Sequence, residues 1–183
     1  MTSYYQEPNA VLIDQVKMGN TKAQYQLYQQ YAPAMYGLCG RLIGVGPLAE
    51  ELLQDAFVKA FKNIHQYRRE AAFGSWLKQI VIRTVLNHLQ KKSTPWLPLE
   101  VLPQELQEGA VYEQHSALPP TISKGQLQEA MQQLAPGYRV ILNLYLLEGY
   151  DHEEIASILD ISPSTSKSQY SRAKKRLKQI LEQ

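Results

Sequence analysis

The sequence predicts an all-α protein: two small helical domains, residues 1–92 and 124–183, joined by an irregular linker over 93–123. Three observations lead there. Apolar residues recur at three- and four-residue spacing through both outer blocks, as in helices that bury one stripe. The stretch between them carries Pro95, Pro98, Pro103, Pro119 and Pro120, which break helices and favour extended chain. From 93 to 120 it also holds four glutamates (Glu100, Glu105, Glu108, Glu113) and no Lys or Arg, so its charge departs from that of its flanks. An acidic, proline-punctuated segment of this kind reads as a linker, and Trp96, Leu97, Leu99, Val101 and Leu102 leave room for it to dock.

Composition narrows the classes. At 183 residues with 44% hydrophobic side chains the chain can bury real cores, and its net charge of +2 excludes a histone-like polycation. One cysteine, Cys39, excludes an internal disulfide and any multi-cysteine metal site. No apolar run approaches the ~18 residues that a membrane span needs, and no signal-like segment opens the chain. A soluble cytoplasmic protein without direct membrane insertion is expected.

In the first block, Leu27, Tyr31, Ala34, Met35 and Leu38 form one helical stripe. Gly44 and Gly46 mark a break, and Pro47 suits the first turn of the next helix. On that helix Leu53, Ala56, Phe57, Ala60, Phe61 and Ile64 point inward, leaving Glu51, Gln54, Asp55, Val58 and Lys62 as a solvated or partner-binding face. Ser75 is a good N-cap for a helix from Trp76 to about Lys92, which carries Lys78, Arg83, Lys91 and Lys92 and no acid. Arg68 and Arg69 precede it, interleaved with Tyr67, Phe73 and Trp76. Cations beside rings suit single-stranded nucleic acid, which needs charge along its phosphates and surfaces for its bases; core packing is the alternative for Phe73 and Trp76.

The last block has a sharper local pattern. Leu127, Ala130, Met131 and Leu134 give one helix, ended by Ala135-Pro136-Gly137; Val140, Ile141, Leu144, Leu146 and Leu147 give another, stopped near Gly149. Asp151 with Glu154 forms an Asp-led capping box for a short helix holding Ile155, Ala156, Ile158 and Leu159. Ser162 and Pro163 then open a helix running toward Leu181. Two helices across a tight turn, the second with six cations and no acid from Ser162 to Ile180, read as a helix-turn-helix. Ser164, Thr165, Lys167 and Ser168 lie where such a helix enters the major groove. Arg172, Lys174, Lys175, Arg176 and Lys178 can neutralise flanking phosphates; a solvated basic helix end is the alternative.

Both blocks resemble one family. Leu48-Ala-Glu-Glu-Leu-Leu-Gln-Asp-Ala-Phe-Val-Lys-Ala-Phe61 is similar to the D-A-E-D-L-V-Q-E-x-F-L-K-A-[WF] run of region two of bacterial sigma factors, and Phe73-Gly-Ser-Trp-Leu-Lys-Gln-Ile80 to its F-x-x-W-L-x-x-I. Leu134-Ala-Pro-Gly-Tyr-Arg139, Glu153-Glu-Ile-Ala156 and Ser162-Pro-Ser-Thr-Ser-Lys-Ser168 with Arg172-Ala173 resemble the motifs of region four. The order, the spacing and the short linker resemble the extracytoplasmic-function (group four) sigma factors of the sigma-70 family. The chain departs from the pattern at Arg83 (often Asn), Gln90 (Arg or Lys), Ser166 (Val) and Gln169 (Arg).

The resemblance implies a sigma region two bundle and a region four helix-turn-helix that direct core RNA polymerase to specific promoters and aid their opening. It assigns polymerase binding to Glu51, Gln54, Asp55, Val58 and Lys62, and the minus-ten element to Arg68, Arg69, Phe73, Trp76 and Arg83. The minus-thirty-five element falls to Ser164, Thr165, Lys167, Ser168, Ser171, Arg172 and Lys175. Core RNA polymerase, promoter DNA and an anti-sigma factor are the implied partners, with no cofactor, metal or small-molecule substrate. His65, His88, His115 and His152 are scattered and Cys39 has no His partner, so no enzyme is expected. The alternatives are a helix-turn-helix regulator that binds DNA without polymerase, using residues 1–92 for sensing or dimerisation, and a helical interaction protein of anti-sigma type.

Overall fold

A computed structural model describes residues 7–91 and 122–182. Among these every regular element is helical, and no helix is long and apolar enough to cross a membrane. The chain divides into two compact units, Met1–His88 and Leu89–Gln183. The segment expected as a linker lies, from 93 to 121, outside the described residues.

The first unit holds α1 (Ala10–Lys17), α2 (Thr21–Ile43), α3 (Pro47–Lys62), a short 3-10 turn (Ile64–Gln66) and α4 (Phe73–Lys91). Asn20 caps α2 by accepting from Lys22 N and Ala23 N at 3.0 and 3.2 Å. At the other end of α2 the chain turns through Gly44 and Gly46, at φ 97° and 144°, conformations open to residues without a Cβ. Pro47 then starts α3 at its first turn, as expected. Ile13, Val16, Leu27, Leu38, Leu42, Leu53, Ala56, Phe57, Leu77 and Val85 make the core. Each such Leu or Ile contributes about 1.5–3 kcal/mol on leaving water. Cys39 is buried among them, which pushes its thiol up to about 11 and leaves it unreactive. Ala34, expected in the α2 stripe, is exposed.

Helix α4 begins at Phe73, not Trp76, and Ser75 does not cap it. The Ala72 carbonyl accepts from Ser75 N and Trp76 N at 2.9 and 3.2 Å. The orphan N–H of Phe73 is taken by the buried carboxylate of Glu7 at 2.8 Å. The helix therefore receives its acceptor from a residue far away in sequence, and local capping rules place its start too late.

The second unit holds α5 (Lys124–Gln133), α6 (Pro136–Leu142), a wide π turn (Asn143–Leu147), α7 (His152–Leu159) and α8 (Pro163–Leu181). Ser123 and Gln126 cap α5 reciprocally, Asp151 and Glu154 do the same for α7, and Ser162 accepts from Thr165 N at 3.0 Å to open α8. The core is Leu134, Val140, Ile141, Leu142, Leu144, Ile155, Leu159, Ala173 and Leu177. Leu146 and Leu147, expected inside, are 52% and 56% exposed. The wide turn, closed by Glu148 N to the Asn143 carbonyl at 3.0 Å, rotates the residues after Leu144 off the buried stripe.

Candidate nucleic-acid interface

Three surfaces carry the expected functional residues. On α3 the inward stripe leaves Glu51, Gln54, Asp55, Val58 and Lys62 all exposed on the outer side. Val58, 50% exposed, gives this otherwise polar face one apolar point.

The second surface is the loop from Tyr67 to Ala72 with the start of α4. Phe73 is wholly enclosed, its ring edge-on to Tyr31 and Tyr67 at 5.2 and 5.5 Å between centroids. The expectation that Phe73 contacts bases is therefore corrected: a ring packed on every side has no face to offer a base, and Phe73 is core. Trp76 sits half-buried beside it, its ring 5.6 Å from Phe73 and 5.4 Å from Tyr67. Arg83 lies two turns further along α4 on the same side and is exposed. Arg68 is also exposed, whereas Arg69 turns back toward α1, its guanidinium bonded to Asp14 and to the Ala10 carbonyl.

The third surface is α8. Ser166, Gln169, Ala173 and Leu177 form its buried side. Ser164, Lys167, Ser168, Ser171 and Lys175 are therefore exposed, with Thr165 and Arg172 half-buried at the edge. Two of the departures from the family pattern, Ser166 and Gln169, thus fall on the inner face and leave the outward one unaltered. The Ser162 hydroxyl lies 2.8 Å from those of both Ser164 and Thr165, which fixes the cap rather than leaving the hydroxyls to rotate.

Beneath α8, the His152 ring stacks on Tyr145 at 4.7 Å, Tyr145 meets Tyr170 at 4.4 Å, and His152 Nδ1 lies 3.0 Å from the buried Ser166 hydroxyl. Burial lowers the His152 pKa below its ordinary 6.5; nearby Lys167 adds to this and Asp151 opposes it. Because the folded pKa lies below the unfolded one, the unfolded chain takes up this proton first. The stability contributed by neutral His152 is present above about pH 6.5 and is lost as the pH falls through the depressed value. Thermal unfolding of the second unit is expected to shift downward between pH 7 and 5, and the shift to shrink in His152→Gln; equal shifts in both proteins would place the titration elsewhere.

Comparison with known proteins bears on all three surfaces. Residues 27–94 match the family described as "Sigma-70 region 2" and residues 124–177 the one described as "Sigma-70, region 4". Together these spans cover about two-thirds of the chain. The chain belongs to the sigma-70 family. In sigma-70 terms, region 2 runs from within α2 past α4 and so includes the α3 face, the loop and Trp76; region 4 holds α5 to α8. The RNA polymerase sigma-H factor of Pseudomonas aeruginosa is 27% identical over 97% of this chain and 95% of its own. The ECF RNA polymerase sigma-E factor of Escherichia coli K12 is also 27% identical, over 90% of this chain and 89% of its own. Among solved structures, the Bartonella quintana sigma factor RpoE in complex with the anti-sigma factor NepR is 23% identical at TM-score 0.57, covering 86% of this chain and 96% of that one. CnrH in complex with the cytosolic domain of CnrY is 19% identical at TM-score 0.54, covering 94% and 96%. These two share the fold. The protein is an RNA polymerase sigma factor of the sigma-70 family, similar to those of the extracytoplasmic-function type. A regulator acting without polymerase would account for region 4 and leave region 2 unexplained.

Two features of the site are not legible from spacing. The grip of α1 on the loop joins residues fifty or more positions apart. Arg139, present in the sequence as one letter of a motif, donates to the carbonyls of Met131, Gln132 and Leu134 at 3.2, 2.6 and 2.9 Å and so closes the end of α5.

Proposed function

We propose that this sigma factor binds core RNA polymerase through Glu51, Gln54, Asp55, Val58 and Lys62, and captures unpaired minus-ten bases with Arg68, Trp76 and Arg83. It reads the minus-thirty-five duplex with Ser164, Thr165, Lys167, Ser168, Ser171, Arg172 and Lys175, and acts in the cytoplasm. The observation that carries the reading is the side chosen by α8: Ser166, Gln169, Ala173 and Leu177 are buried, so Ser164, Ser168, Ser171, Lys167 and Lys175 face outward without an acid among them. Lys and Arg on that face neutralise phosphates, and the serines at its start offer short hydrogen-bonding groups to base edges.

Magnitudes require the polymerase. Opening about ten base pairs at ~1.4 kcal/mol of stacking per step costs on the order of 14 kcal/mol. Two or three captured bases return only ~1–3 kcal/mol each. The sigma factor therefore selects and holds the melted strand while the larger enzyme supplies most of the binding. An anti-sigma partner is supported by the two solved neighbours, each of them a complex, in the first case with a named anti-sigma factor.

Purified chain added to core polymerase on a pool of genomic templates is expected to yield discrete transcripts absent with core alone; no transcript from any template would overturn the reading. Asp55→Lys is expected to weaken binding to core about tenfold, equivalent to ~1.4 kcal/mol, with an unchanged melting curve. Unaltered affinity would remove the α3 face from the polymerase interface.

A further inference from the structure

We propose that the segment from Glu7 to Lys17 is a latch that sets the shape of the strand-capture loop, and that Arg69 is a positioning residue within it, not a DNA contact. The inference rests on the reading of Tyr67–Ala72 as that loop. Three separate groups hold it. The Glu7 carboxylate lies 2.8 Å from both the Tyr67 hydroxyl and Phe73 N, pinning the two ends of the loop to one side chain. Lys17 Nζ donates to the Tyr67 carbonyl at 3.0 Å. The Arg69 guanidinium bonds Asp14 and, at 3.2 Å, the Ala10 carbonyl.

The backbone agrees. Arg69 sits at φ 63°, a left-handed conformation that a long side chain adopts only when its surroundings demand it. The grip of α1 on its guanidinium is that demand. With Arg69 tied to α1, its neighbour Arg68 is the exposed arginine of the loop. A loop already ordered in this form loses less conformational freedom when a strand binds, so the latch acts on affinity without touching the strand. Glu7, Asp14 and Lys17 all precede residue 27, where the region 2 match begins.

The test turns on sign. Asp14→Arg adds positive charge near the strand, so a purely electrostatic role predicts tighter DNA binding; the latch predicts weaker. Holoenzyme carrying Asp14→Arg, Arg69→Asp or both is titrated with a single-stranded minus-ten oligonucleotide and with duplex bearing only the upstream element. Each single variant is expected to lose about tenfold in strand binding and nothing in duplex binding, and the paired swap to recover most of the loss. In the free full-length chain, amide exchange at residues 68–72 is expected to rise in each single variant and fall back in the swap. Strand binding that is unchanged or tighter in Asp14→Arg, or a swap no better than Arg69→Asp, overturns the latch. Wild-type holoenzyme that captures no strand overturns the loop's assignment, and the latch with it; unchanged exchange in Asp14→Arg overturns the latch alone.

Discussion

Phe73→Ala is expected to destabilise the first unit by about 3–5 kcal/mol, the range for removing an enclosed aromatic ring that leaves a cavity behind. Phe73 has no exposed surface, and its ring is in contact with those of Tyr31, Tyr67 and Trp76. The surroundings cannot close over the gap easily. Gly74 sits so close to Tyr31 that a Cβ there would come within 3.1 Å of the ring, and the Glu7 carboxylate fixes the backbone of Phe73 itself. Chemical denaturation of the full chain should show the transition of the first unit moved and that of the second unmoved. Trp76→Ala is the matched contrast: this residue is only partly buried, so it should cost less in stability and more in capture of a single strand. If Phe73→Ala moved the transition by under about 0.5 kcal/mol, a surface-type effect, Phe73 would not be core.

Arg139→Ala is expected to lower the stability of the second unit by about 3 kcal/mol, since charge-assisted hydrogen bonds contribute ~1.5–3 kcal/mol each and do not add in full. Three carbonyls of one helix end, those of Met131, Gln132 and Leu134, converge on its guanidinium. Burial lowers the Arg139 pKa from its ordinary value, a measure of how far the group has left water. Removing the side chain takes this donor from all three carbonyls, of which that of Met131 keeps Leu134 N at 3.3 Å. Lysine carries the charge but not the planar fork, so Arg139→Lys should recover only part of the loss. Denaturation midpoints of the two units report this directly. A C-terminal transition that stays in place would show that the α5 carbonyls find other donors.

Several elements are legible in the amino-acid order alone. The Asp151–Glu154 box and the Ser162–Pro163 start of α8 are local: the donor and the acceptor lie three residues apart, and one turn of helix brings them together. The outward face of α3 follows from the spacing of its apolar residues, and so does the break between α2 and α3 from Gly44, Gly46 and Pro47. The α4 start is not legible in the same way. Ser75 has the chemistry of a cap, but the acceptor that starts the helix belongs to Glu7. Periodicity also misplaces Leu146 and Leu147, since it assumes one helical pitch throughout and the turn at Asn143–Leu147 is wider.

By itself the sequence determined what depends on near neighbours: that the chain is helical, where most helices are capped, which side of α3 and α8 is polar, and, through ordered motifs, its family. Only the tertiary structure decided which aromatic residue is partly exposed and which enclosed, and which arginine faces outward and which is tied back to α1. Phe73 and Trp76 lie on one turn of one helix with the same kind of side chain, and nothing within that turn distinguishes them. What separates them is the arrival at Phe73 of the Tyr31 ring and the Glu7 carboxylate from other parts of the chain, because burial is a property of what packs against a residue and not of the residue alone.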